Sequence, residues 1–355
     1  MFAFKTVIRF TSLTAVILLT TASATEPWRI VTQWDNDLLT GTDRGYTNGA
    51  RLAIVRDLEP NREAHNALQR AFYRISRAGS DGIAGDDGRF DSIDQLRFSW
   101  GLGITQLMYT PDDSTTPSAL PGERPYAGWL GAEISLNVSD FNSVSGVTLS
   151  IGTTGPSSRA EQAQDWVHNH ISNSPIYQGW DSQVPSEPTL NLHFDRKQKL
   201  SFLDATKDWL LEIDGYYEWG AAVGNFQTNA YIGTLLRTGL NLPNTYATPR
   251  VQLGSYGHAL FEPESDDSEK IAFYGFVGIR ATAVLHDITL DGPIFRDFNT
   301  GVDSKPTVGE AIVGLAVRIH DVDLSISQTT RSDEFKGQTK RHNFGSVMLR
   351  FDLPF

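Results

Sequence analysis

From Ser346 to the last residue the chain alternates, with Val347, Leu349, Phe351, Leu353 and Phe355 apolar and most residues between them polar. Alternation at period two puts the apolar set on one face of a strand. Residues 209–219 repeat the pattern. Trp209, Leu211, Ile213, Gly215, Tyr217 and Trp219 share one face, and Glu212, Asp214 and Glu218 share the other. A sandwich strand with one buried face alternates in the same way. An apolar face bounded by Trp at both ends, opposite acidic residues, fits a tilted strand crossing a bilayer between two aromatic girdles better. Similar stretches lie near 28–40, 44–57, 94–109, 126–139, 144–154, 188–200, 208–222, 228–241, 271–285, 308–319, 322–332 and 343–355. An even count ending on Phe predicts an all-β fold, a 12-stranded antiparallel transmembrane β-barrel. Residues 58–93 and 242–270 are long for the turns of such a barrel. The first holds a small helical pattern from Ala64 to Arg77 and a Gly/Asp-rich tail from Gly79 to Gly88.

One segment breaks the alternation. Gly155-Pro156 ends a strand, Ser157 or Ser158 offers a helix cap, and Ala160, Gln164, His168 and Ile171 fall on one helical face. The pattern predicts a short helix near 157–173 in a loop of the barrel. Taken alone, it reads as a surface helix with its polar face in water. His170 lies two residues from His168 and points to another face. If the first strand starts in the periplasm, this helix lies on the extracellular side. Asp35-Asn36-Asp37, Tyr46-Thr47-Asn48-Gly49, Tyr109-Thr110-Pro111 and Arg124-Pro125-Tyr126-Ala127-Gly128 then fall on the same rim.

The amino terminus carries Lys5 and Arg9, an apolar run from Thr11 to Leu19, and Ala22-Ser23-Ala24. This predicts a secretory signal peptide over 1–24 and one domain over 25–355. The chain has no cysteine, so no disulfide can staple it. Its 31 glycines and 11% aromatics suit short strands and tight turns. A net charge of −12 argues against a nucleic-acid partner and is compatible with a bound divalent cation. No obligate protein partner is evident.

The absence of cysteine and of Gly-x-Ser-x-Gly excludes the α/β-hydrolase arrangement, and no His-Glu-x-x-His supports zinc chemistry. Asp81, Asp86 and Asp87 lack the ligand spacing of a calcium loop. What remains is water activated by a base. Histidine is the side chain that ordinarily titrates near neutral pH, and His168 suits that role. Asn36 and Asp37 are hard oxygen ligands, suited to Ca2+, and such a cation polarises an ester carbonyl and holds the oxyanion. Each residue alone also has an ordinary reading: Asn36-Asp37 as a turn pair, Thr47 as a strand residue, Arg124 as a surface charge.

Taken together, Asn36-Asp37, Thr42 through Gly49, Tyr109-Thr110-Pro111, Arg124 through Trp129, Gly155-Pro156 and Gln164 through His168 resemble the lipid A 3′-O-deacylase (LpxR-like) family. Gly179-Trp180-Asp181, Gln183, Glu187-Pro188, Gly224-Asn225, Leu290-Asp291-Gly292 and Arg331 through Gln338 continue the match in order. The resemblance implies an outer-membrane barrel that hydrolyses the 3′-linked acyloxyacyl ester of lipid A, the lipid part of lipopolysaccharide, with Ca2+ as cofactor. It implies His168 as base, Gln164 one turn before it, and Asn36, Asp37 and Thr47 as strand-end residues needed for activity. Asn36 and Asp37 are the implied metal ligands, and Arg124 and Tyr126 would contact substrate. Residues 112–123 contain no Lys or Arg, which leaves Arg124 as the basic residue of that loop. Two other classes stand beside this one. A pore or structural barrel would use Glu212, Asp214 and Glu218 to line water, and a phospholipase barrel would need a Ser–His pair that the strand ends do not display.

Overall fold

The computed structural model describes residues 28–37, 45–58, 97–113, 116–118, 121–139, 142–172, 176–206, 211–245, 249–254 and 271–353. The expected signal peptide, the helical pattern at 64–77, the Gly/Asp-rich tail and Trp209 lie outside these residues. Twelve strands form one closed antiparallel barrel: β1 (Trp28–Asn36), β2 (Gly45–Leu58), β3 (Arg97–Thr110), β4 (Ala127–Ser139), β5 (Ser143–Thr154), β6 (Pro188–Lys199), β7 (Glu212–Gly224), β8 (Gln227–Leu240), β9 (Ala272–Asp287), β10 (Thr307–Ile319), β11 (Val322–Arg331) and β12 (His342–Leu353). Each strand pairs with its sequence neighbours, and β1 pairs with β12 from Trp28↔Leu353 to Asn36↔Gly345. Closure leaves no strand edge unpaired. The alternating pattern locates every strand to within a few residues of its observed bounds.

The period-two pattern sorts side chains between two solvents. Leu102, Ile104, Ile134, Ile151, Ile232 and Ile279 point outward and are exposed, forming an apolar belt that fits lipid. Among the described residues no helix is long and apolar enough to cross a membrane. The inward face is polar and ion-paired. Arg51 reaches Glu133 at 2.7 Å, and Thr105 donates to the same carboxylate at 2.6 Å. Arg51 also donates to Gln33 at 2.9 Å, so its fork is fully engaged. Glu218 pairs with Arg280 and Asp214 with Arg237, each at 2.5 Å. These inward acids therefore neutralise arginines of the interior and do not form an open acidic lining.

Beyond β8 the chain turns back into the lumen. Arg237 donates to the carbonyl of Pro243 at 2.8 Å. Residues 249–254 then run along the barrel interior toward the rim where β1 ends. The carbonyl of Pro249 accepts from Ser327 at 3.2 Å, that of Arg250 from Gln33 at 3.0 Å, and that of Gln252 from Arg51 at 2.9 Å. Gly254 donates to Glu133 at 2.9 Å and accepts from Thr148 at 3.0 Å. Val251 and Leu253 pack with Tyr46, Leu107, Trp129 and Phe344 in the main apolar cluster. A backbone segment in a barrel interior has no strand partner, so side chains of the wall satisfy its polar groups.

Arg51→Met leaves Glu133 buried without its cation, a loss expected to cost about 3–5 kcal/mol. Urea unfolding of the purified barrel in micelles, followed by tryptophan fluorescence, measures it.

Candidate active site

The first two strands place their end residues by alternation and by one irregularity. Gln33 and Asp35 face inward, where they bond Arg51, the carbonyl of Arg250 and the amide of Val251. Trp34 and Asn36 therefore face outward. On β2 the register slips between Tyr46 and Asn48, leaving Thr47 as the extra residue of a β-bulge. A bulge lets two successive residues leave the strand toward the same side. Tyr46 stays inside, Asn48 pairs with outward Asn36, and Thr47 Oγ1 meets Thr110 Oγ1 at 2.5 Å. Thr110 and Met108 share the outward face of β3, because Thr105 and Leu107 face inward.

These outward residues are buried, which a lipid-facing position would not by itself produce. Relative exposure is 3% at Asn36, 2% at Thr47, 0% at Thr110, 3% at Met108 and 0% at Tyr126. Over β3 and β4 the cover is the loop between β5 and β6. That loop makes a 3-10 turn, Gly155–Ser158, followed by α1 (Ala160–Val167), which widens into a π-helical turn over His168–Ser172. Such wider turns occur preferentially where a helix carries a functional residue. The expected serine cap does not form. Ser158 Oγ donates to the carbonyl of Gly155 at 2.6 Å, and Arg159 in a left-handed conformation (φ 58°) precedes the helix. Pro156 opens the 3-10 turn first, and that turn consumes the serine hydroxyl.

Two glycines allow this close approach. Gly155 has φ 65°, the left-handed region open to glycine. A Cβ at Gly128 on β4 would collide with Ser158 Oγ and Ala160 Cβ. Gln106 on β3 donates to the carbonyl of Ser158 at 2.7 Å and ties the turn to the wall. The helix thus lies flat on the outer surface of the barrel, with Ala160 packed among Met108, Tyr126, Tyr177 and Trp180.

The face turned to the wall carries Gln164 and His168, both 3% exposed. The His168 ring meets Tyr177 edge-on, with centroids 4.9 Å apart and planes at 83°. His170 is exposed and stacks on Trp166, in keeping with its expected exclusion from the site. The side chain of Ile171 lies outside the described ones. Gln164 Oε1 accepts from Trp180 Nε1 at 2.9 Å. Indole N–H only donates, so this bond fixes which way the amide points. Gln164 Nε2 is then a buried N–H2 group with no acceptor among the described residues. An unmet buried donor is costly and calls for a partner such as a substrate oxygen.

Tyr126 lies beneath Trp180, with ring centroids 5.2 Å apart, and its carbonyl accepts from Val184 at 2.8 Å. Burial pushes its phenol up to about 12, so it stays protonated. Arg124, expected to contact substrate, turns the other way. Its guanidinium bonds Glu334 at 3.3 Å and Thr289 at 3.0 Å and lies 4.5 Å over the ring of inward Tyr109. Burial pushes the Glu334 carboxyl up, but Arg331, Arg124 and His342 together hold it well below the usual carboxylate range. Arg124 therefore braces the barrel mouth on the inner side of the wall, and the structure does not bring it to the helix face.

Asp37, fully buried, follows Asn36 directly. Among the described residues no group of three His, Cys, Asp or Glu is arranged to hold a metal. A cation here would rely on one carboxylate with amide and hydroxyl oxygens of Asn36, Asn48 and Thr47. Such a set fits Ca2+, which accepts neutral oxygens, and does not fit a transition metal. Tyr177 and Trp180 meet His168 and Gln164 on the helix, and Asn48 and Thr110 lie beside Asn36 and Thr47. Trp180, Asn48 and Thr110 stand inside the motifs that carry the family resemblance, yet nothing in their spacing assigns them a task.

A family model described as outer membrane protein LpxR matches residues 9–353. Among solved structures, LpxR from Salmonella typhimurium is similar with TM-score 0.67 and 19% identity, covering 91% of this chain and 99% of that one. The beta domain of the Bordetella autotransporter Brka matches with TM-score 0.43 and 11% identity, covering 93% of this chain and 100% of that one. The translocator domain of autotransporter NalP from Neisseria meningitidis gives 0.41 and 8%, covering 96% and 92%. The first of these likenesses shows the fold; the other two are weaker. No match was found among curated proteins.

Gly128→Val would wedge α1 off the wall. Overpacking of about 1–3 kcal/mol raises local opening by about fivefold or more. Arg159 is the sole trypsin site between Gly155 and Ser172, so cleavage after it, read by mass spectrometry, reports the lift.

Proposed function

The chain belongs to the LpxR family of outer-membrane proteins, and on that footing we propose that it hydrolyses the 3′-linked acyloxyacyl ester of lipid A. That it is an outer-membrane barrel of a lipid A-modifying family follows from the family itself. The finer reaction rests on one observation: outward-facing polar residues of β1 and β2 lie buried at the rim beside a wall packed under a helix histidine. An amphiphile in the outer leaflet meets the barrel from its lipid side. A site on the outer surface of the wall, at the depth of the headgroups, reaches its ester bonds without the substrate leaving the membrane. The rim bearing α1 accordingly faces the cell exterior.

In this reading His168 takes a proton from the attacking water and returns it to the leaving alkoxide of the sugar. The Tyr177 edge and the π-helical turn hold its ring in place. Gln164 Nε2 donates to an oxygen of the substrate, in an orientation set by Trp180. Thr47 and Asn36 orient the ester, and Tyr126 forms the apolar floor against which the acyl chains lie. Asp37 and Asn36 would hold Ca2+. When bound there, the cation supplies charge that polarises the ester carbonyl. A buried site excludes bulk water, which strengthens each of these interactions.

In detergent micelles the purified protein is expected to release acyloxyacyl chains from lipid A. Removal of a general base ordinarily costs 10²–10⁴, so His168→Ala should lower kcat about a hundredfold or more. A loss under about tenfold would remove His168 as base. A chelator should abolish release and added Ca2+ restore it, while Mg2+, which demands a rigid octahedral set, should restore it poorly.

A further inference from the structure

The carboxylate of Asp35 stands at the junction of three parts of the molecule. It lies on β1 one residue before Asn36, faces inward and is fully buried. Both its oxygens accept from the backbone N–H of Val251 at 3.1 Å. Tyr46 Oη donates to it at 3.2 Å. Tyr46 directly precedes Thr47, and its amide donates to His342 Nε2 at 2.7 Å. One buried carboxylate therefore links the two chain segments that carry Asn36-Asp37 and Thr47 to Val251 of the luminal segment 249–254.

That segment is firmly held. Besides the bonds to β1, β2, β4, β5 and β11 given above, Arg250 pairs with Glu310 of β10 at 2.5 Å, and Gln252 bonds Arg280 of β9. A segment anchored around so much of the wall is a rigid post inside the cylinder. Within it, Val251 and Leu253 pack in one cluster with Tyr46 and Phe344, on the inner side of the wall behind the outward residues of the site. Strand ends at a rim open more readily than the middle of the ladder, so contacts from within the lumen tell most there. The bulge at Thr47 weakens the ladder at this position further, because its extra residue has no partner.

We propose that Asp35 is a positioning residue for the deacylation site: clamped by Val251 of the luminal post, it fixes the outer ends of β1 and β2 and so the placement of Asn36, Asp37 and Thr47. The inference rests on the reading of that outer edge as the reaction site. It adds a function to a segment that enters the lumen from the opposite rim and touches no substrate. Asp35 itself touches no substrate either, since it lies on the inner side of the wall.

The test uses the full chain in micelles, with folding checked by the mobility of unheated samples in SDS gels. Asp35→Ala should lower kcat about tenfold or more with KM within about twofold, the pattern of misplaced catalytic groups. Asp35→Asn keeps one acceptor for Val251 and should recover most of that loss. Val251→Pro removes the donor and should match Asp35→Ala. Their combination should be no worse than either alone, because both break one interaction. Ser327→Ala, at the base of the post, should stay within about twofold. Hydrogen exchange at residues 33–37 and 45–50 should accelerate in Asp35→Ala and Val251→Pro and not in Ser327→Ala. Unchanged exchange in both, or a kcat within about twofold of the unsubstituted chain, would overturn the positioning role. If the unsubstituted chain releases no acyl chain while exchange responds as expected, the reaction assigned to this edge fails and the mechanical support alone stands.

Discussion

A closed antiparallel barrel allows each strand residue two directions, toward the lumen or toward lipid, and everything in this molecule follows from that binary choice. Asp35 and Asn36 are adjacent in sequence yet serve opposite surfaces. Tyr46 packs in the interior while Thr47, released by a bulge, joins the outer face. The apolar belt keeps the outer surface in hydrocarbon, and the ion-paired interior keeps the lumen polar. At the rim that bears α1 the outer face turns polar and buried. There α1 and its flanking turns shelter the wall from lipid. A site at that place belongs to neither the lumen nor bulk water, and its natural visitor is a molecule that lies in the leaflet.

The interior contributes by stiffness. Arg51, Glu133, Gln33 and Thr105 form a satisfied network in which no charge is left alone, a condition for burying it without large loss. Residues 249–254 extend that network across the lumen, with Val251 bonded to Asp35 behind the outer ends of β1 and β2. The proposed reaction, with its base on a loop helix and its other groups on strand ends, requires both to be held to within a fraction of an ångström. The loop helix is pressed to the wall by Gly128 and Gln106. The strand ends are braced from the inside by Asp35.

The strands were legible because period-two alternation is long and repeated, and a closed barrel adds no competing element. The short helix was legible from Gly155-Pro156 and the spacing of Gln164 and His168, and the choice of His168 over His170 followed from helical geometry. Its cap was not, because the 3-10 turn that uses Ser158 depends on contact with β4. The direction of Arg124 was also hidden. A basic residue just before a strand can serve either side of the wall, and its partners Thr289 and Glu334 lie more than a hundred residues away. The same holds for the luminal segment. In the sequence, 242–270 is only an overlong turn, since the side chains that receive it come from strands scattered along the whole chain. Long-range hydrogen bonds to backbone carbonyls leave no local signature.

The account stands or falls on what happens to lipid A in the membrane that holds this protein. Mass spectrometry of lipid A from cells producing the chain, compared with cells lacking it, measures that directly. The account predicts a new species lighter by the 3′-linked hydroxyacyl chain together with its secondary acyl group. Lipid A of identical mass in both, under Ca2+ and with the barrel folded in the outer membrane, would contradict it.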